Sequence, residues 1–143
     1  MILASLRAAA LALLLAAAPA PTPPPEHAPA GPFMIFFDYD SAEINAQAAA
    51  VLARIIAARR ARPEIRLVID GHADRAHSYA DSETISRRRA WAVHDHLVLA
   101  GIPGTAIEVH YYGEERPLVD TEDEVREPQN RRVEIRLEDE RAS

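Results

Sequence analysis

The chain contains no cysteine. Disulfides and thiolate metal sites are therefore excluded, as is the acylated N-terminal cysteine by which exported bacterial lipoproteins are anchored. Basic residues are not in excess. Sixteen Lys and Arg against 22 Asp and Glu leave a formal net charge of -6, which argues against a nucleic-acid partner, because such binders present a basic face. Glycine is scarce, with five in the chain, and no serine sits between glycines in a strand–turn–helix elbow. Ser78, Ser82 and Ser86 lie near histidines in sequence but do not compose a hydrolase motif. The single tryptophan, Trp91, is expected to serve packing or to be a partial surface anchor. No internal repeat is present.

What is there begins with an apolar N-terminus. Met1 to Ala18 carries one charge, Arg7, followed by alanines and leucines, and Ala18-Pro19-Ala20 fits a small-x-small cleavage pattern. A positive residue, a short apolar stretch and small residues form an export signal over residues 1–20, too short for a comfortable membrane span, with an uncleaved anchor as its alternative. Membrane contact is expected only in that second case. Prolines at 19, 21, 23, 24, 25, 29 and 32 make residues 21–32 a Pro/Ala-rich spacer, because proline forms neither helix interior nor central strand. Residues 33–138 are left as one domain, large enough for its own core, with 139–143 as a short tail.

Within that domain, Phe33 to Phe37 reads as a buried first strand ending in the polar turn Asp38-Tyr39-Asp40-Ser41. Asn45 caps a helix with apolar positions at Ala48, Leu52, Ile55 and Ile56, closed by Arg59, Arg60 and Arg62 and stopped by Pro63. Glu64 to Asp70 alternates as a second strand. A second helix, capped by Asp81 or Ser82, runs to Ala100, with Gly101 past its end. Ile107, Val109 and Tyr111, then Val133, Ile135 and Leu137, mark two further strands separated by a polar connection. The order β-α-β-α-β-β predicts an α/β (α+β) two-layer sandwich, a mixed four-stranded sheet with two main helices on one face.

One residue breaks the pattern. Ile85, Val93 and Leu97 share a helical column, and Arg89 lies on it. A guanidinium on a buried column needs an anionic partner, and periodicity alone favours a structural ion pair. Asp74, in Gly71-His72-Ala73-Asp74 just beyond the second strand, is the candidate, since ligands in open α/β sheets sit beyond the carboxyl ends of strands. One acceptor site beside one bidentate donor site would also suit a zwitterion such as an amino acid. His72, Asp74 and His77 are too loosely spaced to read as a metal site, and no cofactor is expected. Asp38 and Asp40 are read as turn residues rather than as an acid–base pair, and His94 and His96 as surface residues.

Five motifs in order resemble the OmpA-like domain shared by OmpA, Pal and MotB proteins: Phe36-Phe37-Asp38-Tyr39-Asp40-Ser41, Gly71-His72-Ala73-Asp74, Ile85-Ser86-Arg87-Arg88-Arg89-Ala90, Tyr112-Gly113-Glu114 with Arg116-Pro117, and Asn130-Arg131-Arg132-Val133-Glu134. The resemblance spans Phe33 to Leu137. It implies a non-enzymatic protein of the Gram-negative envelope, in the periplasm or associated with the outer membrane, that binds peptidoglycan of the diaminopimelate type. Asp74 would take the ammonium, Arg89 the neighbouring carboxylate, and N–H groups around Asp38 and Tyr39 would complete a pocket bordered by Ala73 and Ser82. Asn130 and Arg131 would be structural. Ala73, Ser82, His77 and Glu127 stand where the family pattern has threonine, asparagine, glycine and arginine, with Arg126 next to the last of these. A protein-interaction scaffold that keeps the fold without wall binding is the alternative.

Overall fold

The computed structural model describes residues 31–139. The signal segment, most of the spacer and the last four residues lie outside this range. Four strands and two helices follow in chain order: β1 (Phe33–Phe36), α1 (Ala46–Ala61), β2 (Ile65–Gly71), α2 (Tyr79–Leu99), β3 (Ile107–Tyr111) and β4 (Arg132–Asp139). Short 3₁₀ turns at Gly104–Ala106 and Pro128–Asn130 precede β3 and β4.

The sheet order is β1-β4-β2-β3. β2 and β3 are parallel and joined through α2, while β4 runs antiparallel to both β1 and β2. Alternation along the strands sends Leu67, Ile69, Val133 and Ile135 to one face, where they are buried in one cluster with Leu52, Ile55, Val93 and Leu97 of the helices. Each such side chain contributes roughly 1.5–3 kcal/mol when fully removed from water. The opposite face is polar and self-paired, with Arg66–Glu108 at 3.3 Å, Arg136–Asp70 at 3.2 Å and Arg132–Glu134 at 2.8 Å. Both layers agree with the architecture expected from the pattern.

The helix ends are set locally. Asn45 Oδ1 accepts from the Ala48 N–H at 2.8 Å, and Arg59 and Arg60 occupy the last turn of α1. The cap of α2 is Ser78, whose Oγ accepts from the Asp81 N–H at 3.2 Å. This corrects the expectation of Asp81 or Ser82: α2 begins a turn earlier, and Ser82 lies inside it, its N–H donating to the Ser78 carbonyl at 2.8 Å.

Gly71 fixes how closely α2 approaches β2. A methyl group there would fall inside contact distance of the Ser86 carbonyl oxygen and 3.0 Å from Ala90 Cβ. Since the nearest atom is helix backbone, the side chain cannot turn away. Gly71→Ala should destabilise the protein by about 1–3 kcal/mol, read as a fall in urea midpoint at unchanged m-value. An unchanged midpoint would show that the helix is free to shift.

Candidate functional site

Three segments meet at the carboxyl end of β2. The first is the end of β2 itself, stitched to both neighbours. The His72 N–H donates to the Arg132 carbonyl at 2.9 Å, the Ala73 N–H to the Gly113 carbonyl at 2.8 Å, and the Tyr112 N–H to the Gly71 carbonyl at 3.0 Å. Asp74 is thereby delivered to a fixed position, 1% exposed. Its Oδ2 accepts from the Glu127 N–H at 3.1 Å and from Arg131 Nη1 at 3.2 Å. Oδ1 takes part in none of these bonds. Arg131 also donates through Nε to the Phe37 carbonyl at 3.1 Å, so it joins β1, β4 and Asp74.

The second segment is the turn after β1. The Ser41 N–H donates to the Asp38 carbonyl at 3.2 Å, and Asp40 takes a left-handed backbone with φ 52°, a conformation that aspartate tolerates better than most residues. The third is Arg89 on α2, 1% exposed. Its Nε donates to the Ser41 carbonyl at 2.9 Å, Nη1 to the His72 carbonyl at 3.2 Å and Nη2 to the Asp38 carbonyl at 3.2 Å. The guanidinium carbon lies 5.5 Å from the centre of the Phe37 ring. The apolar column thus accepts an arginine because backbone carbonyls, not a carboxylate, surround its head. That replaces the ion pair that periodicity favoured.

Burial pulls the Arg89 pKa down to about 10; the Asp74 charge opposes the shift and Arg131 adds to it. Arg89 remains a cation at neutral pH, electrostatically coupled to Asp74 without forming a direct ion pair. The direct partner of Asp74 is Arg131. Sequence reading placed Arg131 as structural and missed this contact, which spans 57 residues and has no local signature.

The remaining expected residues are close by. Ala73 is buried and acts through its backbone. The single O–H of Ser82, fully buried, is shared between the Asp74 carbonyl at 3.3 Å and Glu114 Oε2 at 3.0 Å. It therefore braces Asp74 from behind. Asp38 is exposed and Tyr39 half-buried. Alongside runs an open cleft of about 330 Å³ whose lining includes Asp38, Asn45, Gln129 and Arg131. Asn130 holds the β3–β4 connection: its Oδ1 accepts from the Leu118 and Val119 N–H groups at 2.8 and 2.9 Å, and its Nδ2 donates to the Val119 carbonyl at 2.7 Å.

His72 points to the other side of β2. Its ring stacks on Tyr112 at 5.6 Å between centroids, and neither ring nitrogen has a partner. Burial, reinforced by Arg132, pushes its pKa down to about 4 from the ordinary 6.5. The neutral ring is the form that folds, so its contribution is complete above pH 6.5 and is lost as pH falls through 4. The shift corresponds to roughly 3 kcal/mol. Asp70, pushed up by its own burial, works in the opposite sense, its penalty being relieved as pH falls. His72→Phe should therefore flatten the loss of stability between pH 6.5 and 4 in denaturation curves. An unchanged pH profile would assign that loss to other groups.

Comparison with known proteins gives a consistent result. A profile of the OmpA family matches residues 36–131. The chain is 39% identical over 115 residues to an outer membrane protein of Gluconacetobacter diazotrophicus, covering 76% of this chain and 30% of that protein. It is 38% identical over 99 residues to the peptidoglycan-associated lipoprotein of Rhizobium meliloti, covering 69% of this chain and 56% of that one. The chain thus spans between about a third and three fifths of the length of such relatives. The crystal structure of the peptidoglycan-associated lipoprotein from Burkholderia pseudomallei superposes with a TM-score of 0.68 at 27% identity, covering 73% of this chain and 89% of that one. The periplasmic domain of Helicobacter pylori MotB shares the fold, with a TM-score of 0.61 at 17% identity, covering 78% of each chain. With the profile spanning most of the described residues, the chain belongs to the OmpA family.

Proposed function

We propose that this protein binds peptidoglycan non-covalently in the cell envelope, gripping the distal end of diaminopimelate in the stem peptide, and that it performs no covalent chemistry. The observation that carries the reading is a buried carboxylate with one oxygen held by Arg131 and the other uncommitted, beside a buried cation that keeps two of its five N–H groups free of the three carbonyl bonds. Asp74 Oδ1 accepts the ligand ammonium. The ligand carboxylate is drawn by the Arg89 charge and bound by the N–H groups of Asp38 and Tyr39. Family membership and the names of the peptidoglycan-associated relatives support the same reading. Each charge-assisted contact contributes about 1.5–3 kcal/mol, part of it offset by the lost freedom of the ligand.

In this reading, residues 1–20 direct export and the proline-rich spacer of residues 21–32 gives the domain of residues 33–138 its reach towards the wall. Co-sedimentation tests the function. Diaminopimelate carries an ammonium and a carboxylate at its distal centre, whereas lysine carries the ammonium alone. The protein should pellet with diaminopimelate-type peptidoglycan and much less with the lysine type. Remaining in the supernatant with both would favour the scaffold reading, in which the fold serves a protein partner.

A further inference from the structure

The Tyr39 ring is gripped by two residues from two other loops. The His77 ring stacks on it, with centroids 4.9 Å apart and planes at 10°. The Arg126 guanidinium carbon lies 3.7 Å from its centre. His77 follows β2, and Arg126 belongs to the long connection between β3 and β4, so the stack joins the three loops that surround Asp74 and Arg89.

The place of Arg126 is set from both sides. It directly precedes Glu127, whose N–H holds Asp74. The ring it covers directly follows Asp38, whose carbonyl holds Arg89. Arg126 itself is exposed, and among the described residues no carboxylate forms an ion pair with it. The surrounding connection carries Glu122, Asp123 and Glu124, so the lack of a partner is not for want of acids nearby. An exposed guanidinium seated over an aromatic ring and free of ion pairs keeps N–H groups available for bidentate recognition of a carboxylate.

We propose that Arg126 is a specificity-determining residue that receives a second carboxylate of the bound peptide, the α-carboxylate of the D-glutamyl residue joined to diaminopimelate. This rests on the wall-binding reading. The protein would then distinguish stems whose glutamyl carboxylate is free from stems in which it is amidated. An exposed ion pair of this kind is modest, worth up to about fivefold in affinity.

Calorimetric titration with two synthetic tripeptides tests it: L-alanyl-γ-D-glutamyl-meso-diaminopimelate and the same peptide amidated at the glutamyl carboxylate. Wild-type protein should prefer the free acid by about three- to fivefold. Arg126→Gln should bind both peptides equally, at the strength the wild type shows for the amide, with an unchanged melting temperature. A merely structural role would weaken both peptides alike and keep the ratio. A wild-type ratio of one, or a ratio that survives Arg126→Gln, overturns the assignment while leaving the wall-binding reading intact. Failure of the wild type to bind either peptide overturns both.

Discussion

Arg89→Ala is expected to cost the fold about 3–5 kcal/mol. Three carbonyls, those of Ser41, His72 and Asp38, lose their donor at once, and each buried acceptor left unpaired costs on the order of 1–3 kcal/mol before water or relaxation repairs it. A void opens against Phe37 as well. The melting temperature should fall by roughly 10–20 °C. Arg89→Lys should recover only part of this, because a compact ammonium cannot reach three carbonyls arranged around a planar fork. Chemical denaturation of both variants checks the claim, and a loss below about 1 kcal/mol for the alanine variant would mean that Arg89 is not the tie between the β1–α1 turn and β2. In the proposed site one residue would serve both stability and the field at the ligand, so Arg89→Ala alone cannot separate the two roles.

Asp74→Asn comes nearer to that separation. An asparagine oxygen still accepts from Arg131 and from the Glu127 N–H, so the loops keep these hydrogen bonds, while loss of the charge beside the buried Arg131 and Arg89 lowers stability. What turns towards the ligand is then an amide donor in place of a carboxylate acceptor. An ammonium facing that donor loses a charge-assisted bond of about 1.5–3 kcal/mol, which is a drop in affinity of roughly 10- to 100-fold. Titration with the diaminopimelate tripeptide should show this at a temperature where the variant is fully folded. Asp74→Ala should lose binding to the same extent and destabilise further, since it also removes the acceptor of the Arg131 and Glu127 hydrogen bonds. Equal binding by wild type and Asp74→Asn would remove Asp74 from the site.

The sequence disclosed the frame of this site because its signals are local. Asn45 three residues before the N–H that donates to it, alternation in β2 and β4, and an arginine interrupting the column of Ile85, Val93 and Leu97 can each be read within a few residues. The start of α2 is misplaced from sequence because Ser78, Asp81 and Ser82 are all good caps, and Tyr79 and Ala80, exposed and off the column of Ile85, do not indicate where the helical period begins. What surrounds the Arg89 head was not legible either. Charge balance asks for an anion, whereas the fold supplies carbonyls whose directions depend on the turn at Asp40 and the end of β2. The Arg131 contact with Asp74 and the stack of His77 and Arg126 on Tyr39 arise from strand order and loop closure, so no spacing announces them.

The most direct test of the cradle is a crystal structure of the protein with the diaminopimelate tripeptide. The distal ammonium should lie within hydrogen-bond distance of Asp74 Oδ1, with its carboxylate against the N–H groups of Asp38 and Tyr39 on the side facing Arg89. Peptide seated on the polar face of the sheet, with Asp74 left untouched, would contradict the account.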